Sequence, residues 1–287
     1  MCMNKITNND LKNFLESGYV KEGWLDNIND LISNDILECI NHCKSPTGKD
    51  KCEKLKAIFR AFSLFPLSKT QVLILGQDPY TAKSRKADGC AFSVANGKKD
   101  ASLLNIFKAA KASFDKNKKY IDIDKNEVNG WNYDLKFWAS QNNVLLLNTA
   151  LTHESTDRKM IENHIKKWEP FIQEIIRKLI TNNNKLVIFL WGKNAQQTFY
   201  KYIDNTEYKN TFLNNLSQEE KNKLKNKNVI NKKFPPININ KNEIKILMTS
   251  HPSNQGVQQG FSDNAPEYFR VCNKFLGKNI WSDLSKG

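Results

Sequence analysis

The chain has 287 residues, of which 39% are hydrophobic and 10% aromatic, so it can bury a sizeable core, and the composition argues against global disorder. Its mean hydropathy is −0.61, and no apolar run approaches the roughly 18 residues that span a bilayer. The polar first residues lack the apolar stretch of a secretion signal. We therefore expect no membrane partner and a cytoplasmic location, or a nuclear one if the source is eukaryotic.

The charge balance is strongly basic, with 44 Lys and Arg against 30 Asp and Glu and a formal net charge of +14. Such a balance favours a polyanionic partner, most often nucleic acid. An AT-rich genome is the alternative explanation, because it enriches proteins in Lys and Asn, and stretches such as NNNK and KNKNVINKK are of that kind. The charge alone therefore leaves nucleic-acid binding open.

The chain contains six cysteines without a CxxC pair or a regular spacing, at positions Cys2, Cys39, Cys43, Cys52, Cys90 and Cys272. Without a secretion signal, they are expected to be reduced thiols. A zinc site is one alternative for the cluster between residues 39 and 52. However, Cys39 and Cys43 lie four apart, which is also the spacing of one face of a helix. We favour the helical interpretation and predict no metal.

Four short apolar runs are typical of strands that are buried on both faces of a parallel sheet. They cover residues 71–75, 144–147, 186–190 and 244–248. Between them, residues 102–114 and 161–180 carry apolar side chains three and four apart, which indicates helices. This alternation predicts an α/β fold, a three-layer α/β/α sandwich with a central four-stranded parallel sheet.

We expect a single domain over residues 1–287. Residues 1–66 form its helical N-terminal part, because apolar residues recur there at helical spacing. Residues 205–242, between the third and fourth strands, are rich in Lys and Asn and contain Pro235-Pro236. We interpret them as an insertion, in part a surface loop and in part a helix over residues 217–225.

Ligands of an open parallel sheet bind beyond the carboxyl ends of its strands, so the residues that follow each run are candidates for function. These residues are Gly76-Gln77-Asp78-Pro79-Tyr80, Asn148-Thr149, Trp191-Gly192-Lys193 and Thr249-Ser250-His251-Pro252-Ser253. A carboxylate, a carboxamide, an imidazole and aromatic rings are thus expected at one edge of the sheet. The chain has neither a Walker-type phosphate loop nor a GxGxxG fingerprint, which disfavours nucleotide-cofactor chemistry.

Five segments in this order carry a more specific resemblance: GQDPY, GCAFSV, VLLLNTALT, FLWGKNAQ and HPS. From about residue 59 to the C-terminus, the chain resembles uracil-DNA glycosylases of the UNG type (family 1). The resemblance implies a monofunctional hydrolase that flips uracil out of DNA, breaks its N-glycosidic bond and leaves an abasic site for base excision repair. It also implies no cofactor, a monomer, single- and double-stranded uracil-containing DNA as substrate, and a proteinaceous glycosylase inhibitor as a second partner.

The resemblance assigns catalysis to Asp78 and His251. Asp78 would position the attacking water and stabilise the positive charge that builds on the sugar, because a carboxylate in a dry pocket interacts strongly with a nearby cation. His251 would donate a hydrogen bond to the uracil oxygen that gains charge as the bond breaks. From the residues alone, an Asp-Pro turn that ends the strand and a core or loop histidine are the alternatives.

The resemblance assigns uracil binding to Gln77, Tyr80, Phe92 and Asn148. Asn148 would read the base edge, and Phe92 would stack on the flipped base. Tyr80 would block the methyl group of thymine, and Gln77 would contribute backbone contacts. A strand-capping asparagine and a core phenylalanine are the alternatives that the residues alone leave open.

DNA contacts are assigned to Ser102, Ser253, Gln255, Lys83 and Arg85. Small hydroxyls at helix N-termini suit phosphates, and basic side chains near the site suit the DNA backbone. Further lysines near the motifs, at positions 86, 98, 99 and 193, are candidates for the same role, against the alternative of a merely solvated surface.

Four features depart from the family pattern. Thr81 stands where the family usually has a histidine after the tyrosine of GQDPY, and the loop that follows is one residue longer and more basic. Asp100-Ala101-Ser102 replaces a Pro-Pro-Ser segment, and Gln255 replaces the leucine that fills the gap left by the flipped base. The segment 205–242 has no clear counterpart.

These departures motivate a rival hypothesis, a catalytically weak homologue that serves as a DNA-binding accessory protein in replication or repair. The presence of Asp78, Asn148 and His251 argues against it. A glycosylase that removes mismatched thymine is a third hypothesis, and Tyr80 argues against that one.

The substitution Gln255→Leu tests the wedge position. A polar amide fills an apolar gap in the base stack less well than leucine does. We therefore expect the variant to remove uracil from duplex DNA faster than the wild type, with a smaller gain on single strands, when both rates are measured in parallel. Equal or slower duplex rates would contradict this view of Gln255.

Overall fold

The computed structural model describes residues 5–24, 32–80, 87–95, 100–154, 157–203, 206–226, 228–235, 237–239 and 242–281. Its central sheet has six strands in these ranges: β1 (Val72–Gly76), β2 (Val144–Asn148), β3 (Lys185–Trp191), β4 (Lys232–Lys233), β5 (Ile237–Ile239) and β6 (Asn242–Thr249).

The four long strands are parallel and lie in the order β2-β1-β3-β6. Every residue of β1 and β2 is buried, as expected for Val, Leu and Ile runs covered on both faces. The two short strands β4 and β5 add to β6 in antiparallel orientation. The predicted four-stranded parallel sheet is therefore confirmed and is extended at one edge.

Helices pack around this sheet and complete the predicted α/β sandwich. They are α1 (Asn8–Glu16), α2 (Asn34–His42), α3 (Lys51–Ile58), α4 (Ala101–Ala112), α5 (Lys136–Asn142), α6 (Arg158–Asn182), α7 (Gly192–Tyr202), α8 (Thr206–Asn214), α9 (Gln218–Lys225), α10 (Asn254–Gly256) and α11 (Ser262–Leu276). The predicted helices over residues 102–114 and 161–180 correspond to α4 and α6. None of the described helices combines the length and apolar character needed to cross a membrane.

The N-terminal part is helical and packs on α6 through aromatic rings. The ring centroids of Phe59 and Phe62 lie 6.2 and 5.9 Å from that of Phe171 on α6, and all three side chains are buried. Cys39 lies on the buried face of α2, and Cys43 caps that helix, which accounts for their spacing. In the described part of the chain, no group of three or more His, Cys, Asp or Glu side chains could hold a metal ion.

The described part of segment 205–242 is more ordered than we expected. The predicted helix is present as α9, with Ser217 as its N-cap, but α8, β4 and β5 occupy much of what we interpreted as a surface loop. Isolated apolar residues between the lysines and asparagines are buried: Phe212, Leu216, Leu224, Ile230 and Phe234. Burial of these side chains folds the segment onto the sheet edge.

The pair Phe212 and Phe234 provides a test of this packing. Their rings stack at 5.0 Å between centroids, and both side chains are buried. We expect Phe234→Ala to lower the free energy of unfolding by about 3–5 kcal/mol in denaturant titrations, because it leaves a cavity in place of a stacked ring. Ile121→Ala, at a side chain that is 78% exposed, should change it little. Equal, small effects of both substitutions would show that the segment is not part of the cooperative core.

Candidate active site

The candidate site lies at the carboxyl edge of the parallel sheet, where ligands of such sheets bind. A cleft of about 320 Å³ opens there beside the last residues of β1 and β2, Gly76 and Asn148, and beside His251, which follows β6. Its lining includes Gln77, Asp78, Tyr80, Phe92, Ser102, Asn148, His153 and His251.

Seven of the residues singled out from the sequence therefore share one cleft, although they come from separate segments of the chain. Ser253 and Gln255 lie beside it, at the start of α10 and within that helix. Lys83 and Arg85 fall outside the described residues, as do the candidate lysines 86, 98 and 99. Lys193 is exposed at the start of α7. The roles that the resemblance assigns to these residues stay predictions.

The pairing of β1 with β2 places Asn148. The strands run in register to their ends, where Gly76 pairs with Asn148. A Cβ atom at Gly76 would collide with Oδ1 of Asn148 and lie 2.8 Å from Cβ of Ala91. The glycine therefore makes room for the carboxamide, which is buried. The next residue, Thr149, donates its backbone N–H to the Gly76 carbonyl at 3.0 Å and its hydroxyl to the Gln77 carbonyl at 2.8 Å.

Phe92 is held in an unusual backbone conformation. Its φ is +64°, in the left-handed region that bulky residues rarely adopt, at a cost of about 1–3 kcal/mol. The preceding turn is fixed by Asp88, which accepts from the Ser93 hydroxyl at 2.6 Å and pairs with Arg60 at 2.5 Å. Such strain is found where the surrounding structure fixes a functional side chain, and here it presents the ring to the cleft.

His251 is a neutral hydrogen-bond donor in this geometry. Its Nδ1 accepts the backbone N–H of Ser253 at 3.0 Å, so the proton of the neutral imidazole lies on Nε2. Although the residue is exposed on one side, desolvation by the surrounding protein lowers its pKa, and Asp100 opposes this shift only in part. The ring centroid lies 5.9 Å from that of Phe92. Gly192, with φ +85°, allows this close approach, because a Cβ there would lie 2.9 Å from Cβ of His251.

The segment after His251 is tied to α4 by a buried asparagine. Asn105 donates through Nδ2 to the Pro252 carbonyl at 2.8 Å and to Oδ1 of Asn254 at 3.2 Å, and its Oδ1 accepts from the Tyr120 hydroxyl at 2.7 Å. Ser253 caps α10 by accepting the N–H of Gly256 at 3.3 Å. Gln255, within the same short helix, is exposed.

His153 is a cleft residue that the sequence reasoning missed. Its Nδ1 forms a hydrogen bond with Oδ2 of Asp78, although the two residues are 75 positions apart. The segment Leu151-Thr152-His153 has no spacing of its own that points to a site. Only the position of His153 pointed to the site, because it comes shortly after β2, at the carboxyl edge of the sheet.

Comparisons with known proteins agree with this geometry. A family model described as "Uracil DNA glycosylase superfamily" matches residues 62–277. Uracil-DNA glycosylase of Clostridium beijerinckii is 34% identical over 194 residues, which are 67% of this chain and 75% of that protein. The protein of the same name from Bacteroides thetaiotaomicron is 32% identical over 225 residues, 78% of each chain.

Solved structures with the same fold include uracil-DNA glycosylases of low sequence identity. The crystal structure of mimivirus uracil-DNA glycosylase has a TM-score of 0.56 at 18% identity and covers 96% of this chain and 90% of that one. The crystal structure of UNG from Nitratifractor salsuginis has a TM-score of 0.53 at 19% identity, with coverage of 95% and 99%. At this identity, the likeness concerns the fold.

Gly76→Ala tests whether the space beside Asn148 matters. We expect the added methyl group to displace the carboxamide and to lower kcat/KM for uracil release about 10- to 100-fold, which corresponds to ~1.4–2.7 kcal/mol of lost hydrogen bonding. Gly130→Ala is the matched control, because a Cβ there meets nothing within 4 Å and its activity should not change. Wild-type activity of Gly76→Ala would show that the position of Asn148 does not control the reaction.

Proposed function

This chain belongs to the uracil-DNA glycosylase superfamily and is a DNA repair glycosylase, and we propose that it acts as a monofunctional hydrolase. In this proposal it adds water across the N-glycosidic bond of deoxyuridine in DNA, releases free uracil and leaves an abasic site with the strand intact. The observation that carries the proposal is the cleft that Asp78, Asn148 and His251 line together.

Asp78 acts on the sugar side of the bond. As the bond breaks, positive charge builds on the deoxyribose and negative charge on the base. The side chain of Asp78 is 17% exposed, and its carboxylate lines the cleft, so it interacts with the developing cation in a medium of lower dielectric than water. The same carboxylate directs the attacking water, which becomes the hydroxyl of the abasic sugar while the departing base takes up a proton.

His251 acts on the base side. The bond from Ser253 to Nδ1 leaves Nε2–H as the donor for the uracil oxygen that gains charge. Because the imidazole is neutral before the reaction, it supplies a hydrogen bond that strengthens as charge develops. A donor of this kind contributes about 3–4 kcal/mol to transition-state stabilisation.

Asn148 separates uracil from cytosine. A carboxamide donates to uracil O4 and accepts from N3–H, whereas cytosine presents a donor at position 4 and an acceptor at N3. The side chain is buried beside Gly76, so each mismatched pair costs about 1–3 kcal/mol.

Tyr80 excludes thymine because it is fixed at two points. Its backbone carbonyl accepts the Ser45 hydroxyl at 2.6 Å, and its own hydroxyl donates to the Phe92 carbonyl at 3.4 Å. A ring held in this way blocks the C5 methyl group, whereas a looser pocket would discriminate one methyl group only weakly. Phe92 supplies the surface on which the flipped base stacks.

The partner is uracil-containing DNA, single- or double-stranded, bound by a monomer. Ser102 lies in the first turn of α4, a helix N-terminus that suits a phosphate, and Ser253 offers its hydroxyl from the segment after His251. The net charge of +14 favours binding to the negatively charged phosphate backbone of DNA. Among the solved structures of similar fold is a mimivirus UNG variant in complex with UGI, at a TM-score of 0.55 and 18% identity. We propose that a proteinaceous inhibitor of that kind competes with DNA for the same face.

Asp78→Asn is the decisive variant for this function. We expect purified wild-type protein to release free uracil from a uracil-containing oligonucleotide, and Asp78→Asn to slow that release about 10²- to 10⁴-fold, because the amide neither activates water nor stabilises a cation. Asp115→Asn, at an exposed carboxylate outside the cleft, should keep the wild-type rate.

Two outcomes would contradict the proposal. Tight DNA binding by the wild type without any uracil release would favour the accessory-protein hypothesis. Release of thymine from a G·T duplex at a rate close to that for uracil would show that Tyr80 does not exclude the methyl group.

A further inference from the structure

His153 contacts the carboxylate that the proposed function makes central. Its Nδ1 is hydrogen-bonded to Oδ2 of Asp78, both side chains line the cleft, and the His153 side chain is only 7% exposed. An ionised carboxylate can only accept hydrogen bonds, so the proton of this bond belongs to Nδ1 of the imidazole. The bond therefore runs from an imidazole N–H to a carboxylate, at a largely buried position on the cleft wall.

The backbone of His153 is fixed from the N-terminal part of the chain. Its N–H donates to the Ser45 carbonyl at 2.7 Å, and its carbonyl accepts the N–H of Lys44 at 2.7 Å. The preceding residue, Thr152, is fully buried, and its hydroxyl oxygen accepts from Nε1 of Trp168 at 2.8 Å. These contacts hold the imidazole in place beside Asp78.

Ser45 also holds the loop that carries Asp78. Its hydroxyl donates to the Tyr80 carbonyl, two residues after the carboxylate, while its backbone pairs with His153. Both partners of the Asp78–His153 bond are thus attached to the same short segment. This common attachment fixes their separation.

In the sequence, GQDPY is followed by Thr81, which lies outside the described residues, and the imidazole that contacts Asp78 comes from a segment 75 positions away. Resting on the proposed function, we propose that His153 is the positioning residue for Asp78. Its Nδ1–H holds the carboxylate in the orientation that directs the attacking water, and it comes from the segment after β2.

A purely structural role explains His153 poorly. Its second ring nitrogen, Nε2, is buried and has no hydrogen-bond partner among the described residues. An unsatisfied buried nitrogen costs about 1–3 kcal/mol, so stability alone would favour an apolar side chain here. The hydrogen bond to Asp78 is the contact that requires an imidazole at this position.

Two substitutions at His153 separate positioning from packing. His153→Leu removes the donor, whereas His153→Asn keeps an amide N–H close to the position of Nδ1. In single-turnover uracil release we expect His153→Leu to slow the chemical step about 10- to 100-fold with KM nearly unchanged, and His153→Asn to recover most of that loss. Ile172→Val, a buried change on α6 away from the cleft, controls for lost stability and should keep the wild-type rate.

A double-mutant cycle tests whether His153 acts through Asp78. If it does, His153→Leu should slow the Asp78→Asn variant less than two-fold, because the bond it removes no longer orients a carboxylate. The inference is overturned if His153→Leu keeps the wild-type rate, if His153→Asn is as slow as His153→Leu, or if the loss in the Asp78→Asn background is as large as in the wild type. Each of these results leaves the proposed function standing, since that is tested by uracil release from the wild type, by the Asp78→Asn variant and by the G·T duplex, and by none of the His153 variants.

Discussion

The register between β1 and β2 is the constraint on which the whole site depends. The two strands pair residue by residue until Gly76 lies opposite Asn148, and the chain then turns at both ends into the cleft. A shift of one residue would move each side chain to the opposite face of the sheet. Both strands are buried on both faces, so a shift would also force side chains of different size to repack in a close-packed core. The packing of the core thus sets the distance between Asp78, to which we assign the sugar, and Asn148, to which we assign the base.

A second set of contacts brings the N-terminal part into the site. The family model begins at residue 62, but Lys44 and Ser45 lie before it and are bonded to His153, and Ser45 also to Tyr80. Further along the same N-terminal part, just after α3, the rings of Phe59 and Phe62 pack against Phe171 of α6. The N-terminal part therefore holds two cleft residues, His153 and Tyr80, in place and also packs on the core.

The sequence was sufficient for the sheet, the major helices and the edge at which the cleft opens. Short runs of Val, Leu and Ile bounded by polar residues are typical of strands buried on both faces, and the side chains that follow parallel strands meet at one edge of the sheet. The sequence was insufficient for His153, because its bond to Asp78 joins residues 75 positions apart and leaves no local pattern. It was also insufficient for most of segment 205–242, where a polar composition masks buried residues such as Phe212 and Phe234. Whether an isolated apolar side chain is buried depends on the segment that packs against it, which the sequence does not show.

The hydrogen bonds of Asn105 on α4 have a consequence for the shape of the bound nucleic acid. Asn105 fastens the segment of Ser253 to the helix whose first turn contains Ser102, and Tyr120 holds Asn105 in turn. If Ser102 and Ser253 both bind phosphates, these hydrogen bonds fix the distance between the two bound phosphates, and the protein does not adjust that distance to the DNA. The double helix must then bend or compress to match that distance, and base steps that deform at low cost would be engaged more readily than stiff ones. The energy needed to deform the DNA would then influence binding before any base enters the cleft.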